Sequence, residues 1–186
     1  MLYLLTTFGA LAAAAAGGIR LSLPLLLLVI FNQSLGMDGA SPVLAWLYQP
    51  QAITFLCIWA FFEVFGSKTA LGQRLVRGIQ FFMSPVIGAL LATVMLPFTG
   101  WLQVCLVVTG AVLAAILQLA QTGYVFRHGL LPFWFTLCQD FLAVGLVLMA
   151  LQAPLLGGLS VLLLVLLALR QTYLWQGQFG LKQGRT

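Results

Sequence analysis

Long unbroken apolar runs constrain this chain more than any other feature. Seven runs, roughly 2–17, 20–34, 51–66, 79–97, 101–122, 132–152 and 155–175, take up most of the 186 residues. A run of about 20 apolar residues matches the thickness of a bilayer core. Backbone at that depth must satisfy its own hydrogen bonds, and continuous runs do so as helices, whereas barrel strands alternate. The expected fold is therefore all-α, a polytopic transmembrane helical bundle of six or seven short spans with a broken or re-entrant first segment. Residues 1–176 form one transmembrane domain and 177–186 a cytoplasmic tail.

Composition supports the same reading. Of the residues, 62% are hydrophobic and 6% charged, against roughly a quarter charged in soluble domains. The eight Lys and Arg residues are dispersed and form no basic stretch of the kind that tracks nucleic acid, so none is expected as a partner. Cys57, Cys105 and Cys138 lie in apolar runs without a C-x-x-C pair, and read as buried thiols that pack like small apolar groups. With one histidine in the chain, a Cys/His zinc site has no support and no metal is expected. No Ser/His/Asp set, P-loop or H-E-x-x-H is present, so the protein is expected not to be an enzyme.

The breaks between runs have local causes. Paired Gly17-Gly18 weaken a helix and interrupt the first run. Asn32, Gly36, Asp38, Gly39 and Pro42 form a turn-rich stretch, and 43–48 reads as a short interfacial helix. Pro97, Thr99 and Gly100 mark a tight turn, as do 123–129 and 153–158. Two models fit the start of the chain. In one, 2–34 is a single broken span with Arg20 at membrane depth. In the other, Gly17-Gly18 is a cytoplasmic turn, the two segments run in opposite directions and the N-terminus is outside. A recurrent Arg-then-Pro pattern favours the second (Arg20 and Pro24, Arg77 and Pro85, Arg127 and Pro132), since proline is tolerated at helix starts.

Cytoplasmic loops carry an excess of Lys and Arg. Placing 67–77 inside, with Lys68, Arg74 and Arg77, puts Arg127, Arg170, Lys182 and Arg185 on the same side and no cation outside. The C-terminus is then cytoplasmic. Trp46, Tyr48 and Trp101 fall at the outer boundary, and Tyr124, Trp134, Tyr173 and Trp175 at the inner one, as an aromatic belt.

Few residues can carry chemistry. Segment 67–82 has Leu71, Leu75, Ile79 and Phe82 at near-helical spacing, with Lys68, Arg74 and Arg77 elsewhere on the wheel. It reads either as a short amphipathic helix on the inner leaflet contacting anionic lipid or as a solvated connector. Glu63 and Asp140 are the only acids outside the Asp38 stretch. An intramembrane carboxylate needs a partner, so a cluster of Glu63 and Asp140 with Arg20, joined by Arg77 or Arg127, is expected in the cytoplasmic half, as a structural clamp or a transport site. His128 is the one candidate ligand for a pigment or metal, against the plainer reading of a solvated loop histidine. Gln80, Gln103, Gln118, Gln121 and Gln139 can hydrogen-bond between helices, and Gly88-x-x-x-Ala92 and Gly110-x-x-x-Ala114 offer close-packing faces.

Three stretches together resemble a known family. They are Gly17-Gly-Ile-Arg-Leu-Ser-Leu-Pro24 before a Leu run, Phe62-Glu63 followed by Phe81-Phe-Met-Ser-Pro-Val-Ile-Gly-Ala89, and Cys138-Gln-Asp140 followed by Pro154. The chain resembles the uncharacterised bacterial membrane family known as domain of unknown function 4126, over nearly its whole length. The resemblance implies an integral membrane protein without an assigned activity. It carries Arg20, Glu63 and Asp140 over as the matching positions, while Ser67-Lys68 stands where an acid is usual. Two functional readings follow. One is a non-catalytic accessory or assembly subunit of a larger membrane complex, photosynthetic complexes included, with lipid and pigment as its non-protein partners. The alternative is a small permease or ion-coupled carrier using the charge cluster. The membrane would be a bacterial inner membrane or a thylakoid.

Overall fold

The computed structural model describes the backbone of residues 2–34, 42–66, 70–96, 100–128 and 132–183, and the side chains of most of them. Every regular element among these residues is a helix: α1 (Leu2–Ile19), α2 (Ser22–Ser34), α3 (Pro42–Leu47), α4 (Pro50–Gly66), α5 (Ala70–Met95), α6 (Trp101–His128), α7 (Phe133–Gln152) and α8 (Pro154–Gln183). The seven apolar runs are thus seven helices, and the short α3 occupies the expected interfacial stretch. Three helices, at 72–95, 101–125 and 133–152, are long and apolar enough to cross a membrane, and four shorter apolar ones accompany them. The chain is a polytopic helical membrane protein. At 1.5 Å per residue α2 is only about 20 Å long, short of the roughly 30 Å core.

α1 is the centre of the bundle, packed against α5, α6, α7 and α8. Ala12 through Ala16 are fully buried, because small side chains let neighbouring backbones approach closely. The glycines take this furthest. A Cβ on Gly18 would lie 2.7 Å from the Ala114 carbonyl oxygen on α6, and one on Gly88 of α5 would lie 2.5 Å from the Ala114 Cβ. Gly17 abuts Ile87 and Leu91 of α5 in the same way. The small-residue faces Gly88/Ala92 and Gly110/Ala114 are therefore spent inside the bundle, around α1.

Gly17-Gly18 do not form the expected turn. They are helical, and the break falls three residues later, at Arg20-Leu21. Pro24 accounts for the position: it has no N–H to give the Arg20 carbonyl, and its ring would clash there in a continuous helix. The reversal itself is present. Gly17 faces Ile87 of α5, and Leu25, beyond the break, lies with Ile87 and Leu90 again. α2 thus runs back in the opposite direction to α1. It does so alongside α4 and α7, with its tip inset into the bundle at the level of Thr136 and Asp140.

Other boundaries also shift. Residues 70–82 belong to one continuous helix, α5, rather than to a separate helix lying on the leaflet, and α6 runs through the expected 123–129 turn to His128. Polar residues there read as loop, but Gly72, Gln73 and Val76 are buried, so the α5–α6 hairpin keeps its contact past the apolar part. Gly100, at φ 123°, turns the chain into α6, a backbone conformation open mainly to glycine. The turn expected at 153–158 contracts to Ala153, because α8 starts at Pro154 and its Gly157 and Gly158 pack on Ala12 and Phe8. The three cysteines are exposed on the outer faces of their helices rather than buried. Trp46, Trp101 and Trp134 are exposed.

Candidate functional site

The site forms where α1 ends. In a continuous helix the N–H groups of Leu21 and Ser22 would bond back to Gly17 and Gly18. Instead both donate to Glu63 of α4, Leu21 to Oε1 and Ser22 to Oε2, each at 3.0 Å. The Ser22 hydroxyl donates to Oε2 as well, and Gln80 Nε2 of α5 donates to Oε1 at 2.6 Å. The Gly17 carbonyl, deprived of its helical donor, accepts from the Ser84 hydroxyl at 3.4 Å, which also reaches the Ala114 carbonyl at 3.2 Å. Free N–H groups and the dipole make a helix start an anion site. Here the anion is the protein's own carboxylate, at 0% exposure.

Arg20 lies between the two acids. Its Nε is 2.5 Å from Asp140 Oδ1 on α7, its Nη1 is 4.0 Å from Glu63 Oε1, and its Nη2 donates to the Thr136 carbonyl at 3.4 Å. The Asp140 contact is ionic, since the Nε–H is not aimed at the oxygen. Arg20 is 3% exposed and Asp140 16%. One guanidinium thus ties α1, α4 and α7 together, and Gln80 adds α5. A charge at this depth persists only when compensated in this way.

The structure brings Arg20, Glu63 and Asp140 together. Arg77 joins them differently. It makes no ion pair among the described residues, and instead borders a small polar cavity with Arg20, Gln73, Gln80, Gln121 and Gln139. Gln139 Nε2 donates to Gln121 Oε1 across α6 and α7 at 3.3 Å. Arg74 is exposed on α5. Lys68 and the side chains of Arg127 and His128 lie outside the described residues, so their expected roles in lipid contact, the cluster and ligand binding have no geometry to report. Among the described residues no group of three His, Cys, Asp or Glu could hold a metal ion.

Ser22, Ser84 and Thr136 were not singled out from the sequence. Ser22 had a legible signal: a serine two residues before Pro24 and after a break is a common helix start. Ser84 and the Thr136 carbonyl had none, since their partners are backbone carbonyls and a guanidinium far away in sequence.

This arrangement defines a class: multi-pass helical membrane proteins built around a central small-residue helix whose end is locked by buried charge. Comparison with known proteins identifies the family within that class. The family described as "Domain of unknown function (DUF4126)" matches residues 7–173, nearly the whole chain, and the protein belongs to it. No curated protein and no solved structure matches.

Proposed function

We propose that the protein is a non-catalytic accessory or assembly subunit of a larger membrane complex, with its buried charges used for cohesion. The observation that supports this reading is α4. It buries only Leu56, Ala60 and Glu63, one narrow stripe at helical spacing. Phe55, Phe61, Phe62 and Phe65 stand exposed around the rest of it. Rings at that density suit a partner helix in the bilayer, and the charge beneath them is already compensated within the chain. By the excess of cations near their ends, the α5 start and the α6 and α8 ends face the cytoplasm, with the exposed Arg74 at the level of anionic lipid heads. A bacterial inner membrane or a thylakoid suits this orientation, and in the latter pigment joins lipid as a companion.

A second reading, a small ion-coupled carrier, is favoured by a different observation. The α1–α2 break lies at membrane depth beside a polar cavity, and carriers build their sites on such discontinuous helices.

One experiment separates the two. Tagged protein is isolated in mild detergent, run on a native gel and analysed by mass spectrometry for subunits and pigments. Stable co-migration with one larger complex supports the subunit reading. A lone monomer or homo-oligomer overturns it. Ion flux in vesicles is then compared with Asp140→Asn, and lost flux in a folded variant supports the carrier.

A further inference from the structure

α4 and α5 follow each other in the chain but touch only lightly, and α4 leans on α2 instead. The gap left between α2, α4 and α5 is a groove with two lobes, of about 210 and 440 Å³, which share Leu25, Phe55, Leu56 and Ile87. On α5 it runs from Ile79 to Leu90, about 16 Å at the helical rise. One end rests on Leu21 and Ser22, beside the Glu63 lock. The other opens at the α3–α4 corner, past Trp46, Gln49 and Gln51. The stacked rings of Phe55 and Trp59 wall the α4 side.

Chemistry and width decide what fills this groove. Ser22 is the one polar side chain in the inner lobe, and it gives its hydroxyl proton to Glu63. A water needs two or more polar partners to stay in a cavity, so the lobe excludes it. A partner helix with its side chains is about 10–12 Å across, so a length of it matching the groove takes up roughly 1,200 Å³ or more, well beyond either lobe. A single hydrocarbon chain, one CH2 wide, does fit, and an unfilled gap would forfeit its packing contacts. The open end shows what that chain is attached to. The Gln49 and Gln51 amides both donate and accept, as the esters and phosphate of a lipid head require. Among the described residues no Lys, Arg, Asp or Glu borders either lobe, so a fatty acid or an anionic lipid would meet no counter-charge there.

We propose that the groove between α2, α4 and α5 holds one acyl chain of a membrane phospholipid whose head carries no net charge, with the head at Gln49 and Gln51. The site is separate from the charge cluster and does not rest on the subunit or the carrier reading.

The test uses the purified full-length protein in detergent, titrated with palmitoyl-oleoyl phosphatidylcholine and followed by native mass spectrometry. One lipid per chain should be retained. Ala52→Phe, whose ring enters the outer lobe, should weaken retention by about tenfold, as expelling two CH2 groups would. Val108→Phe, on the exposed face of α6, should leave it unchanged. Should Ala52→Phe fail to fold, the unaltered protein is photo-crosslinked with one equivalent of a phosphatidylcholine carrying a diazirine in mid-tail. Crosslinks at Leu56, Trp59 and Met83 support the site. Absence of a retained lipid, equal retention by Ala52→Phe, or crosslinks scattered over α6 and α8 overturn the proposal. So does stronger retention of phosphatidylglycerol, whose head is anionic.

Discussion

α1 and α4 are both held in the bundle, by opposite means. α1 is gripped on every side through Ala and Gly, with backbones in near contact. α4 touches the rest through one stripe, and that stripe ends in a carboxylate bound by four donors. In a bilayer, lipid tails solvate apolar side chains as well as another helix does, so association needs close packing or polar bonds. The protein uses packing for the helix at its centre and one polar lock for the helix at its edge. Fit is spread over many residues, whereas the lock is concentrated in one.

That contrast can be broken or sharpened by substitution. The largest effect is expected for Glu63→Ala. It leaves Arg20 with one carboxylate and strands the donors of Leu21 and Ser22, and losing one partner of a buried pair costs about 3–5 kcal/mol. α4 should separate while α1 stays packed, read as a longer α1–α4 distance between spin labels and a lower midpoint in denaturing-detergent titration. Collapse of α1 packing together with α4 would erase the distinction.

Next comes Gly18→Ala. Its methyl would press on the Ala114 backbone, and overpacking costs about 1–3 kcal/mol. The same titration should show the loss with the α1–α4 distance nearly unchanged. Gln80→Leu removes one of the four donors to Glu63, for about 1 kcal/mol by analogy with other interhelical bonds in membranes. Arg20→Met in that background should add far less than it does alone if the two share a network, which a double-mutant cycle measures. The smallest effect is expected for Phe61→Ala on the outer face of α4. The unfolding midpoint should move by no more than about 0.5 kcal/mol, so a larger loss would mean that α4 is held by its rings as well.

Much of this was legible from residues alone. The seven runs became helices because hydrophobic length decides what lies in a bilayer. Arg20, Glu63 and Asp140 were picked out by the cost of charge at depth, and their meeting follows from that cost. The double glycine was ambiguous, because glycine marks both a turn and a close approach. Ala114 of α6, which decided between them, is nearly a hundred residues away. The lengths of α5 and α6 were hidden by polar residues that look like loop until the two helices are seen to bury them against each other. The cysteines pointed outward because, in a membrane, an apolar residue gains little by choosing the inside.

The central position of α1 has a consequence for how the chain is made. α1 is synthesised before α5, α6, α7 and α8, the four helices that enclose it. Until they arrive, an Ala- and Gly-rich segment with an arginine at its tip lacks the helices it packs against most closely, and α2 behind it is too short to reach across the bilayer. Of the two carboxylates that pair with Arg20, Glu63 emerges first, some forty residues later. α1, α2 and α4 can therefore be joined as an early intermediate, held by charge before any fit is available. The close packing of α1 is completed only when the α5–α8 half closes around that three-helix piece.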